Sequence, residues 1–315
     1  MHSLNTINAN DRTMKKLFVV FFSLLLAAVS RAQDLQNMTF FIWPRTDQLF
    51  VGSCCLDVPV ETVDSTRLTV FYVMHGRTAN EVYGQTLYRL QCGAHVTRFS
   101  SRAQYYANLL YTERRHGKEL AGDETTKAEE AGSQLLVAPS EVWRDLTSEQ
   151  LEVCYQIPFQ DGRVYRYDES VPSFSWRMTE LRDSVSGYDC FCAETHYAGR
   201  DWKVWFTPDL PLSAGPWKFS GLPGVILRAE DREGDYRFEC CGISRGSEPI
   251  RRYLWPEYRG TRTKWLLFER QAHESPLHTF GQGGRVRFFR SGSESGPPEE
   301  LDDSWTIPYN PLERE

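Results

Sequence analysis

From Thr66 to about residue 243 the dominant period of the chain is two, and that constrains the fold more than any other feature. Leu68, Val70, Tyr72 and Met74 alternate with Thr69, Phe71 and Val73; Trp202, Val204 and Phe206 alternate with Lys203 and Trp205. Tyr236, Phe238 and Cys240 alternate with Arg237 and Glu239, and Phe174, Trp176 and Met178 with Ser175, Arg177 and Thr179. Successive side chains of a strand point to opposite faces, so this spacing reads as half-buried antiparallel strands. Further strands are expected at Leu87–Cys92, Val96–Ser100, Leu151–Ile157, Val164–Tyr167, Tyr188–Tyr197, Val225–Glu230 and Val286–Phe289. Asp161-Gly162, Ser186-Gly187 and Glu233-Gly234-Asp235 supply glycine where hairpins need positive φ. Helix signals are confined to Ala107–Arg115, Ser140–Gln150, where Ser140 is placed to cap, and Arg262–Ala272. The fold class is therefore mainly β: a highly curved antiparallel sheet or open barrel with a few short helices. The strands run on without a break in composition, so residues 33–315 read as one domain. Gly117–Ser133 reads as a polar loop and Ser291–Asp303 as an acidic linker.

Met14-Lys15-Lys16 followed by the apolar run Leu17–Val29, with Ser30 and Ala32 at the −3 and −1 positions, has the form of a cleaved secretory signal peptide over residues 1–32. Thirteen residues are too few for a membrane span, which takes about 20. Met14 is the better start, the polar stretch before it being unlike a signal n-region. Loss of residues 1–32 removes four bases and one acid, which takes the net charge from −6 to −9. No basic stripe tracks a phosphate backbone, so nucleic acid is not an expected partner. The expected location is periplasmic or secreted, with no membrane span in the mature chain. All eight cysteines (54, 55, 92, 154, 190, 192, 240 and 241) lie beyond the leader, where disulfides are permitted. The vicinal pairs and Cys190-x-Cys192 also suit a thiol-bound copper or zinc, but no zinc-ribbon spacing occurs.

Residues 199–231 (GRDWKVWFTPDLPLSAGPWKFSGLPGVILRAED) crowd Pro208, Pro211, Gly215-Pro216, Gly221 and Pro223-Gly224 among Trp202, Trp205, Phe206, Trp217 and Phe219. Proline fixes φ and lacks a donor, so Thr207–Pro216 must run as a crossing loop rather than a central strand. Pro223-Gly224 fits the central positions of a type II turn that throws the chain into Val225-Ile226-Leu227. The block is an aromatic-lined corner between two strands. Gly221-Leu222-Pro223-Gly224-Val225-Ile226 resembles the signature of the GLPGLI family of exported cell-envelope proteins. Phe174-Ser175-Trp176, Gly187-Tyr188-Asp189-Cys190, Gly199-Arg200, Trp205-Phe206-Thr207-Pro208, Gly215-Pro216-Trp217-Lys218-Phe219 and Tyr309-Asn310-Pro311-Leu312-Glu313 resemble the family pattern in order. Val225 departs from the usual Leu, and Cys192, Cys240 and Cys241 are additional. The resemblance covers roughly residues 66–315 and implies export and the fold unit, with no reaction attached.

No catalytic motif competes with it. His273-Glu274-Ser275-Pro276-Leu277-His278 lacks the one-turn histidine spacing of a zinc protease and is broken by Pro276. Cys190 and His196 share a strand face about 20 Å apart. Glu230, Asp231, Glu233 and Asp235 read as solvated residues of a hairpin tip without calcium-loop spacing, and Gly281-Gln282-Gly283-Gly284 as a hairpin loop. No cofactor is implied. The function expected is that of a non-enzymatic exported envelope protein binding an apolar ligand or an outer-membrane protein partner through the corner, at Trp205, Pro216, Trp217, Phe219, Gly221, Leu222, Pro223 and Gly224. An enzyme with a loop-assembled site, and a thiol or copper site, are the alternatives.

Overall fold

A computed structural model describes residues 58–77, 83–101, 138–157, 163–280, 289–290, 299–300, 302–307 and 309–315. The leader, Cys54-Cys55, the Ala107–Arg115 helix, the 117–133 loop, Asp161-Gly162 and Gly281–Gly284 lie outside the described residues.

The period-two segments build one sheet of twelve strands. In spatial order these are β14 (Glu257–Arg259), β7 (Val164–Ser170), β6 (Gln150–Gln156), β5 (Glu141–Asp145), β4 (Val96–Ser101), β3 (Tyr83–Cys92), β2 (Leu68–Arg77), β12 (Tyr236–Ser244), β11 (Val225–Asp231), β10 (Arg200–Thr207), β9 (Tyr188–Tyr197) and β8 (Arg177–Val185). Every pairing is antiparallel except β14 with β7. A separate ribbon pairs β1 (Val60–Ser65) with β13 (Pro249–Tyr253), and α1 (Arg262–Glu274) and α2 (Pro276–Phe280) follow β14. Residues 43–287 and 302–315 form one compact unit; the other, 1–42 and 288–301, includes the pair β15 (Phe289–Arg290) and β16 (Glu299–Glu300).

The mainly β fold class holds, and the sheet is not closed into a barrel. It is nevertheless curled. Nine strand spacings of about 4.8 Å separate β7 from β9, roughly 43 Å if flat. Yet the corner reaches both: Lys218 Nζ lies 2.6 Å from Glu169 on β7, and the Trp217 ring lies 5.2 Å from that of Tyr197 on β9. The inner face is the core, with Val70, Tyr72, Leu90, Phe99, Val153, Tyr155, Trp202, Val204 and Phe238 buried.

Four local expectations are corrected. Ser140–Gln150 is not a helix but strand β5, a turn and the start of β6. The Asp145 carboxylate accepts the Thr147 and Ser148 amides at 2.7 and 3.0 Å and makes the turn, while Glu141, Val142 and Trp143 are buried between β4 and β6. β8 starts at Arg177, because Phe174 and Trp176 leave the strand to stack on each other and on Phe219. Gly224 stays out of the left-handed region, so Pro223-Gly224 is not a type II turn; its N–H donates to Leu222 O at 2.9 Å in a three-residue turn about Pro223. Asp231 is buried rather than solvated. Ser186 and Gly187 both have positive φ, 51° and 81°, as the β8–β9 hairpin requires.

Candidate functional site

The corner fills the mouth of the curled sheet by tight, local geometry. Leu212 N–H donates to Leu210 O and Ala214 N–H to Leu212 O, at 2.7 and 2.8 Å, folding the chain through successive three-residue turns. Val225 and Ile226 then donate back to Leu210 O and Ala214 O, sewing the loop to the start of β11. Gly224 is required sterically: a Cβ there would sit 2.1 Å from Thr207 O. Trp217 holds the left-handed φ of 56°, unusual for so large a residue.

Of the residues expected to form the site, Pro216, Trp217, Phe219, Leu222 and Gly224 are buried and only Gly221 and Pro223 are exposed. Trp217, Phe219, Trp202 and Phe174 make one ring cluster, with centroid separations of 5.0–5.7 Å among its contacts. Trp205 is not part of it. Three positions from Trp202 on one strand, it faces the other side, under the Arg228 guanidinium 3.8 Å from its ring centre. A cavity of about 10 Å³ remains between loop and sheet, against Leu90, Phe99, Val142, Leu151, Trp217 and Phe219. It has room for one water, and the buried Trp217 Nε1–H has no partner.

The reading by aromatics missed the charges. Arg200, from Gly199-Arg200, is 1% exposed; its Nη1 lies 2.5 Å from Asp231 and 3.1 Å from Asp235, while Nη2 donates to Asn310 Oδ1 and Pro311 O and Nε to Leu312 O. Lys218, fully buried in the aromatic motif, lies 2.6 Å from Glu169, 2.5 Å from Glu313 and 3.3 Å from the Tyr167 hydroxyl. Arg262 of α1 takes the other Glu313 oxygen at 2.6 Å. The separate stretches 199–200, 215–219 and 309–313 therefore converge, and the C-terminal segment is strapped across the mouth of the sheet. Lys218 and Glu313 belong to the Gly215–Phe219 and Tyr309–Glu313 motifs; Glu169, and Glu269 of α1, carry no sequence signal.

Lys218 Nζ donates to the Tyr167 hydroxyl and stands at ion-pair distance from Glu169 and Glu313, so the arrangement works as a latch between β7, the corner and the tail. Glu269 differs. It is 2% exposed and hydrogen-bonded by the Tyr309 hydroxyl at 3.4 Å; burial, then the Glu313 charge, push its carboxyl up to about 8. Among the described residues, the metal-capable group is Asp231, Glu233 and Asp235, already paired with Arg200 and Arg314. His196 pairs with Asp201 at 2.8 Å, away from buried Cys190. The six described cysteines are free thiols, so the disulfide expectation fails for them; only Cys241 is exposed. Among the described residues no helix is long and apolar enough to cross a membrane.

A family model described as "Protein of unknown function (Porph_ging)" matches residues 193–228, which span β9's end, β10, the corner and the start of β11. No curated protein matches the sequence. Two solved structures of PNGF-II, in space groups P21 and C2, are similar at TM-scores of 0.44 and 0.43 with 10% and 9% identity; each alignment covers 67% of this chain. The chain spans about a third (34%) of their length.

Proposed function

We propose that this is an exported cell-envelope protein of the GLPGLI type, without catalytic activity, that binds a protein partner through the rim of the corner. The observation that carries this reading is the contrast between rim and base. Pro208, Asp209, Pro211, Gly221 and Pro223 are exposed on a loop whose base is locked by buried Trp217, Phe219 and Leu222. A rim ordered in advance loses little entropy on docking. Beside it, tied by the Trp176 Nε1–H bond to Ser220 O at 2.8 Å, begins the edge strand β8, with Met178 and Leu181 half exposed. That edge is blunted by its own side chains: Asp183 accepts the Ser184 amide, Thr179 the Leu181 amide, and Arg182 donates to Leu181 O. A partner would thus read side chains rather than add a strand. Protein is favoured over an apolar ligand because the 10 Å³ cavity behind the loop cannot take an acyl chain.

The test places a photo-crosslinking residue at Pro223, at Met178, and at exposed Thr263 on α1 as control. A discrete protein adduct is expected from the first two positions in intact cells. Absence of adducts, or a co-purifying lipid released by solvent, would reject the reading.

A further inference from the structure

Within the strap, Lys218 and Arg262 are both committed to Glu313, one to each carboxylate oxygen. Glu269 lies against the same tail residues, and among the described residues no salt bridge reaches it. Its hydrogen bond comes from the tail itself, from Tyr309. The groups around it are few. From the tail come Tyr309 and Glu313, from β6 Tyr155 and from β12 Tyr236. On its own helix, Arg270 interacts with Tyr309, and the buried His273 ring stands 5.0 Å from that tyrosine's. A proton on Glu269 lets the carboxyl stay buried without a cation; without it, a bare charge is held where water cannot screen it, and the Glu313 charge adds to the cost.

We propose that Glu269 is a proton-operated catch for the C-terminal strap: protonated, it seats residues 309–315 over α1 and the sheet mouth; when its proton passes to solvent, the strap lets go. The inference concerns the fold's own latch and stands whether or not a partner binds the corner. Two tail amides report on it, Ile307 N–H to His273 O and Arg314 N–H to Ala198 O, both at 2.9 Å.

Hydrogen exchange of the full chain, followed over residues 302–315 and corrected for the intrinsic base-catalysed rate, is the test. Between pH 6 and pH 9 protection of this segment should fall at least tenfold in the wild type and stay unchanged in Glu269→Gln. Tyr309→Phe removes a bond that favours the ionised carboxylate, so its release should move to higher pH; this arm reads the catch even if Glu269→Gln folds poorly. Protection that is independent of pH, an equal loss in Glu269→Gln, or opening on acidification instead, which would implicate His273, would each overturn the proposal.

Discussion

Replacing Arg200 by leucine should be among the most damaging single changes in the protein. Its five donors are all used: on Asp231 and Asp235, on Asn310 and Pro311, and on Leu312. The guanidinium also lies over the Tyr236 ring, 4.7 Å from its centre. Leucine fills much of the space but leaves the Asp231 carboxylate, 1% exposed, without a cation. Breaking a buried pair from one side costs about 3–5 kcal/mol. At roughly 2–4 °C per kcal/mol for a chain of this size, Tm should drop by about 6–20 °C. The assay is urea unfolding, reading the midpoint at unchanged slope. Asp231→Asn in the Arg200→Leu background should recover about 2 kcal/mol, since the stranded charge is gone. Arg200→Lys should fall between, keeping the charge but losing the fork that reaches the tail. As control, Arg177→Ala, removing an exposed partner of Glu194, should cost no more than about 1 kcal/mol. An Arg200→Leu protein within about 1 kcal/mol of wild type would refute the claim that this network holds the strap.

Gly224→Ala should destabilise by about 3 kcal/mol, because the new Cβ meets Thr207 backbone at 2.1 Å and neither strand end can yield freely; Gly187→Ala, strained at φ +81° but with nothing within 4 Å, should lose only about 1–2. A smaller loss at 224 than at 187, by the same urea assay, would overturn the steric reading. Glu269, raised from 4.5 to about 8 by burial and then by Glu313, binds a proton in the folded chain that the unfolded chain releases, so stability should fall as pH rises from about 5 to 8. At 1.36 kcal/mol per unit the loss approaches about 4 kcal/mol, and Glu269→Gln should flatten that slope; equal slopes in the two proteins would disprove it. Native alkylation mapped by mass spectrometry should label exposed Cys241 and spare Cys92 and Cys154, whose thiols burial pushes up to about 12, until denaturant is added. Prompt labelling of Cys92 would show that the inner face opens, and of Cys154 that the Val58, Val164, Tyr253 and Trp255 cluster on the other face does.

What could be read from the sequence was what the pleat dictates. Leu68, Val70, Tyr72 and Met74 mark β2 because one face of a strand must be buried in any arrangement of its neighbours. The Ser140–Gln150 helix failed because its cue was a single local cap, whereas Val142 and Trp143 are fixed by pairing with Phe99, Arg98, Val153 and Glu152. Gly224 was correctly singled out but for the wrong cause, since a dipeptide suggests a positive φ and cannot show that Thr207 O will pass beside it. The charges were the larger omission, and they were partly accessible. By strict alternation a lysine between Trp217 and Phe219 would face away from both rings, and only the left-handed φ of Trp217 breaks that pattern, so the burial of Lys218 was not legible. Once buried, its ammonium demands carboxylates, which Glu169 and Glu313 supply. Arg200 did imply a buried partner, because it stands two residues before buried Trp202 on the same strand face, pointing inward. What no local rule supplies is that both cations also bind a tail about a hundred residues on, so that the aromatic corner and the C-terminus form one buried, ion-locked structure whose only uncompensated acid is Glu269 among the described residues.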